Sequence, residues 1–133
     1  MDIRQIIPGG LAVSPKEYSP LALAFVGDAV YEVYIRSQIL ARANAGAHTL
    51  HQKAIAYVKA EAQATAARKI AEELTDEELA VFRRGRNAKS GTVPKNANVT
   101  DYRYATALEA LFGYLYLCGC TDRLVQLMDK AAF

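Results

Sequence analysis

Cysteine is nearly absent from this chain. Among 133 residues only Cys118 and Cys120 carry thiols, and the single residue between them makes an intrachain disulfide strained. One pair of thiols falls short of the four ligands of a structural zinc site. The pair therefore reads as reduced thiols of an intracellular protein. Histidine is as scarce: His48 and His51 flank an expected helix start, and neither is expected to take part in catalysis. The N-terminus, MDIRQIIPGG, lacks the apolar stretch of a secretory signal. No uninterrupted apolar run reaches the ~20 residues that span a bilayer. Segments alternating with period two in strand composition are missing, as are repeats and low-complexity tracts. What remains is a soluble, cytoplasmic, all-α protein of one domain.

The composition supports this. The chain is 52% hydrophobic and 23% charged, which suits a globular domain and not a disordered one. Its length allows one real core and no second ordinary domain. Ser19-Pro20 is a cap followed by proline at the first helical position. The helix it opens meets no breaker but Gly27 before about Ala41. A second helix is expected from near Thr49 to near Leu74, alanine-rich and suited to close packing. TDEE at 75–78 is a capping box that starts a short helix to about Arg84. The stretch GRNAKSGTVPKNANV reads as an exposed loop. Thr100-Asp101 opens a helix that Gly119 stops, and Thr121 caps the last one.

Two acids stand out against this background. Asp28 lies in FVGDAVYEVYIR, between Leu23, Phe25 and Val26 on one side and Val30, Tyr31, Val33 and Ile35 on the other. A carboxylate among side chains that favour burial is costly unless it is paired, hydrogen-bonded or bound to a metal. Two plain explanations are a turn at Gly27-Asp28 and an ion pair with Arg36. Glu109 repeats the pattern in TALEALFGYLYL, where the positions three and four residues away are Ala105, Thr106, Phe112 and Gly113. If the two apolar helices pack together, the carboxylates meet at one site. Glu32, four residues after Asp28, is either an outer member of that cluster or a surface residue.

Carboxylates without His or Cys favour a hard cation such as Mg²⁺, and such sites commonly handle phosphates. The segment from Arg83 to Arg103 holds Arg83, Arg84, Arg86, Lys89, Lys95 and Arg103 against one acid, Asp101. Arg83, Arg84, Arg86, Asn87, Lys89 and Lys95 are the candidates for contact with a phosphate backbone, against the alternative of a solvated basic loop. Together the acids and the basic loop point to metal-assisted phosphodiester hydrolysis.

LAFVGDAVYEVYIR resembles the signature of ribonuclease III nuclease domains, and ATALEALFGYLYL resembles that family's second motif. With RRGRNAK between them and only about fifteen residues after the second motif, the chain is most similar to the compact Mini-ribonuclease III subfamily, which has no separate domain for binding double-stranded RNA. The resemblance implies that residues 1–133 form one helical endonuclease domain. It implies Asp28 and Glu109 as catalytic Mg²⁺ ligands, a homodimer with two sites along one groove, and cleavage of double-stranded RNA to 5′-phosphate ends. The implied substrate is the 23S ribosomal RNA precursor, and a ribosomal protein that presents it is left open. Two acids of the larger enzymes fall here on Ala24 and Thr106, so fewer direct ligands are expected. Two rival readings remain: a non-catalytic helical RNA-binding module and a ribosome-assembly scaffold.

Overall fold

In a computed structural model of the chain, described for residues 3–89, 93, 95 and 98–133, the backbone forms helices and no strand among the described residues. Helix α1 is Ile3–Ile6, α2 Pro20–Arg42, α3 Ala47–Val58, α4 Ala60–Ile70, α5 Asp76–Asn87, α6 Val99–Leu117 and α7 Thr121–Ala132. The all-α expectation holds. No helix among the described residues is long and apolar enough to cross a membrane.

Helix α2 starts as its sequence dictates. The Ser19 hydroxyl accepts a hydrogen bond from the Ala22 backbone N–H at 3.2 Å, and Pro20 opens the helix. Helix α6 starts one residue before Thr100, because Asn98 is the better cap and accepts from the Asp101 N–H at 3.1 Å. These two helices form the centre of the molecule, with α4 and α5 packed on the flanks of α6 and α7 against α4.

Glycine sets how closely α2 and α6 approach. A Cβ added to Gly27 would stand 1.7 Å from the backbone oxygen of Glu109, and one added to Gly113 would stand 1.9 Å from that of Leu23. No side chain fits at either place, so the two backbones are in direct contact. Around this crossing Leu23, Tyr31, Ile35, Leu108, Leu111 and Phe112 are fully buried, each contributing about 1.5–3 kcal/mol by leaving water. Tyr31 and Phe112 pack with ring centroids 5.4 Å apart. On the flank, Ala64 and Ala67 are wholly buried and let α4 lie close to the core.

The capping box is formed as expected: Thr75 and Glu78 exchange hydrogen bonds at 2.9 and 3.2 Å. Glu78 also receives two bonds from Arg123 of α7, at 2.9 and 2.8 Å. The guanidinium holds the Glu78 carboxyl below its ordinary range although burial opposes it. One ion pair thus joins the start of α5 to α7.

Three further boundaries differ from the sequence reading. The helix expected from Thr49 to Leu74 is two helices and a 3₁₀ turn at Ala71–Glu73, broken where Lys59 adopts φ −63°, ψ 152°. The Gln63 side-chain amide donates to the freed Val58 carbonyl at 2.9 Å, which replaces a helical bond the break removes. Helix α5 runs on to Asn87, so the first residues of the expected loop are helical. Gly85 is buried there, with a hypothetical Cβ only 2.8 Å from the Ala110 Cβ. Residues 90–92, 94, 96 and 97 of that loop lie outside the described residues. Thr121 is the first residue of α7 and Cys120 precedes it as the cap. Gly119 does end α6, at φ +74°.

The glycine contact generates a test. Gly27→Ala and Gly113→Ala are each expected to destabilise the fold by about 3 kcal/mol or more, because backbone must move to admit the methyl group. Gly46→Ala, with nothing within 4 Å of the new atom, is expected to cost less than about 1 kcal/mol. Urea midpoints of the three variants check this.

Candidate active site

The crossing that glycine permits also places the two acids. Asp28 follows Gly27 on α2, and Glu109 is the residue of α6 whose carbonyl Gly27 touches. Their carboxyl groups are hydrogen-bonded to each other. Glu109 is mostly buried, and its pKa is pushed up to about 8, first by burial and then by the charge and hydrogen bond of Asp28. At neutral pH Glu109 therefore keeps its proton.

Asp28 itself is exposed, which corrects the expectation of a buried charge. The oily run around it divides between two faces. Leu23, Ala24, Gly27, Tyr31 and Ile35 point into the core, while Leu21, Phe25, Val33 and Leu40 face outward. Phe25 is 85% exposed. Asp28 does not pair with Arg36 either, and no turn interrupts α2 at Gly27. Arg36 binds Glu32 at 2.6 Å instead, and among the described residues no group of three or more potential ligands forms. Glu32 is thus a surface residue in a helical ion pair. Ala24 and Thr106 are both buried, and the Thr106 hydroxyl donates to the Tyr102 carbonyl at 3.0 Å. Neither adds a carboxylate, so the site offers two.

The basic candidates do not share one surface. Arg83, Arg84, Asn87, Lys89 and Lys95 are exposed and Arg86 half-buried. Arg84 donates to the Tyr18 carbonyl at 3.4 Å and faces a cleft it shares with Lys16, Glu77 and Tyr114. Asn87 and Lys89 face another cleft, beside Tyr102 and Arg103 of α6. Arg103 received no role from the sequence, although Val99, Tyr102, Arg103 and Thr106 follow the spacing of a single helical face. Tyr114 is a core residue whose hydroxyl donates to Glu77 at 2.5 Å. Cys118 and Cys120 are free and exposed, and His48 and His51 are exposed on α3, far in sequence from either acid.

Comparison with known proteins bears on what this pair of acids is for. The family profile described as Ribonuclease III domain matches residues 21–119, a span that contains both acids. The chain belongs to the ribonuclease III family. It is 51% identical over 111 residues to a Mini-ribonuclease 3 of Thermoanaerobacter sp. strain X514, covering 84% of this chain and 78% of that protein. It is 46% identical over 121 residues to a Mini-ribonuclease 3 of Brevibacillus brevis, with 91% and 90% covered. The crystal structure of a protein from Fusobacterium nucleatum superposes with a TM-score of 0.78 at 34% identity, covering 85% of this chain and 90% of that one. As a member of the ribonuclease III family the chain is an endoribonuclease, and the acid pair lies within the part that carries the likeness.

The raised Glu109 pKa makes stability depend on pH. An unfolded glutamate loses its proton near 4.5, whereas Glu109 in the fold keeps one up to about 8. Between those values the folded state binds more protons, so this group lowers stability as pH rises. Glu109→Gln removes the effect. In EDTA the variant is expected to match the wild type near pH 4 and to exceed it in melting temperature at pH 8, as thermal scans across that range will read.

Proposed function

We propose that the chain cleaves double-stranded RNA with the help of a divalent cation held by Asp28 and Glu109. The observation that carries this reading is the hydrogen-bonded carboxylate pair at the crossing of α2 and α6. The donor set fits such an ion: two carboxylates in contact, one exposed to solvent, with neither His nor Cys among them. Mg²⁺ is the proposed ion, since it binds through one or two carboxylates and retains waters. When bound, it would neutralise charge on the scissile phosphate and lower the pKa of an attacking water. The carboxylates hold and orient that ion, and Asp28 gives access from solvent.

A-form RNA presents shape, phosphates and 2′-hydroxyls to a protein, so the exposed cations at the end of α5 and the start of α6 suit its backbone. We further propose that residues 1–133 act as one nuclease domain and as a homodimer in the cytoplasm. Phe25, Val33 and Leu40 form an exposed apolar stripe on the same helix as Asp28. A second copy covering the stripe would set two acid pairs along one surface, one for each strand. The resemblance to Mini-ribonuclease III makes the 23S ribosomal RNA precursor the proposed substrate, with a ribosomal protein as a candidate presenter.

Incubation with a long RNA duplex in Mg²⁺ tests the chemistry. The wild type is expected to cut it, and Asp28→Asn, Glu109→Gln and added EDTA are each expected to slow cleavage by about 100-fold or more. Binding without cleavage under every divalent metal would leave a non-catalytic RNA-binding module. For assembly, Phe25→Glu is expected to shift the sedimenting species from dimer to monomer. Unchanged sedimentation would move the interface elsewhere.

A further inference from the structure

A cavity of about 410 Å³ lies between the end of α5 and the starts of α2 and α6. Its α6 wall is a single helical face, Val99, Tyr102, Arg103 and Thr106. Continuing that face by one turn reaches Glu109, about 4.5 Å further along the axis. On the other side Leu21 lines the cavity, and two turns along the same face of α2, about 10 Å, lead to Asp28. Both walls therefore run into the carboxylate pair.

The lining divides by chemistry. Lys89 and Arg103 bring positive charge to the cavity, and neither makes an ion pair among the described residues. Arg68, which does, binds Asp101 at 3.4 Å and lies over the Tyr104 ring, 4.5 Å from its centroid. Those contacts pin the first turn of α6 from its opposite side. Asn87 adds an amide, while Leu21, Val99 and the Tyr102 ring supply apolar surface. A phosphate alone would need neither that surface nor that volume. Paired bases are stacked inside a duplex, out of reach of such a wall; an unpaired base swung out of the stack is not.

We propose that this cavity takes one unpaired nucleotide of the RNA, its base against Tyr102, Leu21 and Val99 and its phosphate on Lys89 and Arg103. This rests on the reading of the chain as a nuclease of duplex RNA. The rise per nucleotide of a duplex strand is about 3 Å, so the pocket would seat a nucleotide within a few steps of the bond that is cut. The chain would then favour a helix with a bulge or mismatch beside the cleavage site, which supplies specificity that contacts to a regular backbone do not.

The test compares two RNA duplexes, one fully paired and one with a single bulged nucleotide moved stepwise past the cut. The wild type is expected to cleave the best-placed bulge at least tenfold faster in kcat/KM. Arg103→Gln, at an exposed position, and Tyr102→Leu are each expected to bring that ratio towards one. Addition of nucleoside 5′-monophosphates to the isotope-labelled protein is expected to shift the amide signals of Val99 to Thr106, and inorganic phosphate to shift fewer of them. Equal cleavage of both duplexes by the wild type would overturn the proposal and leave the nuclease reading standing. Identical shifts from phosphate and from mononucleotides would also overturn it, since no base would then be held. Absence of cleavage of either RNA would overturn the nuclease reading, and the proposal with it.

Discussion

Two helices that bear side chains on their contact faces stay about 8–10 Å apart. Where α2 meets α6 the side chains are missing on both sides, and a single methyl group at Gly27 or Gly113 would overlap the facing backbone. Everything near the site depends on that closeness. It aligns Tyr31 with Phe112, leaves Leu23 and Leu108 no contact with water, and brings Asp28 within hydrogen-bonding reach of Glu109. Acids on two helices at ordinary separation would each find water instead of each other. The fold thus brings two carboxyl groups to one point by removing bulk at the neighbouring one.

The rest of the molecule supports that crossing. Buried alanines of α4 pack beside α6, and Gly85 lets α5 lie against Ala107 and Ala110. The ion pair of Glu78 with Arg123 closes the far side by tying α5 to α7. Its partners are largely shielded from solvent, so it is worth more than an exposed pair such as Lys16 with Glu77. Small residues thus occupy the inner contacts and charged ones the outer seams.

Much of this was legible in the residues. Ser19-Pro20, the TDEE box and Gly119 marked helix ends by local chemistry, and local chemistry is what sequence reports best. The two acids were conspicuous because each stands in a largely apolar stretch of its own helix. The break at Lys59 had no such signal: neither glycine nor proline stands there, and its partner is a glutamine four residues on. The exposure of Asp28 was hidden for another reason. Periodicity tells which residues share a face, but α2 is apolar on two faces, so the pattern could not say which one the core takes. The basic residues were grouped by proximity in sequence, whereas helical geometry sends Arg84 and Asn87 to different clefts.

The proton that Glu109 keeps beside Asp28 has a consequence for the proposed cation. A metal ion bound there as proposed would compete with that proton for the same oxygens, so its binding would expel the proton. Below the Glu109 pKa of about 8, each fall of one pH unit would therefore weaken its apparent affinity about tenfold for a single displaced proton. The pair would then exchange ions, emptied by acid and filled by alkali. The availability of the cation and the acidity of the surroundings would act on it as one combined variable.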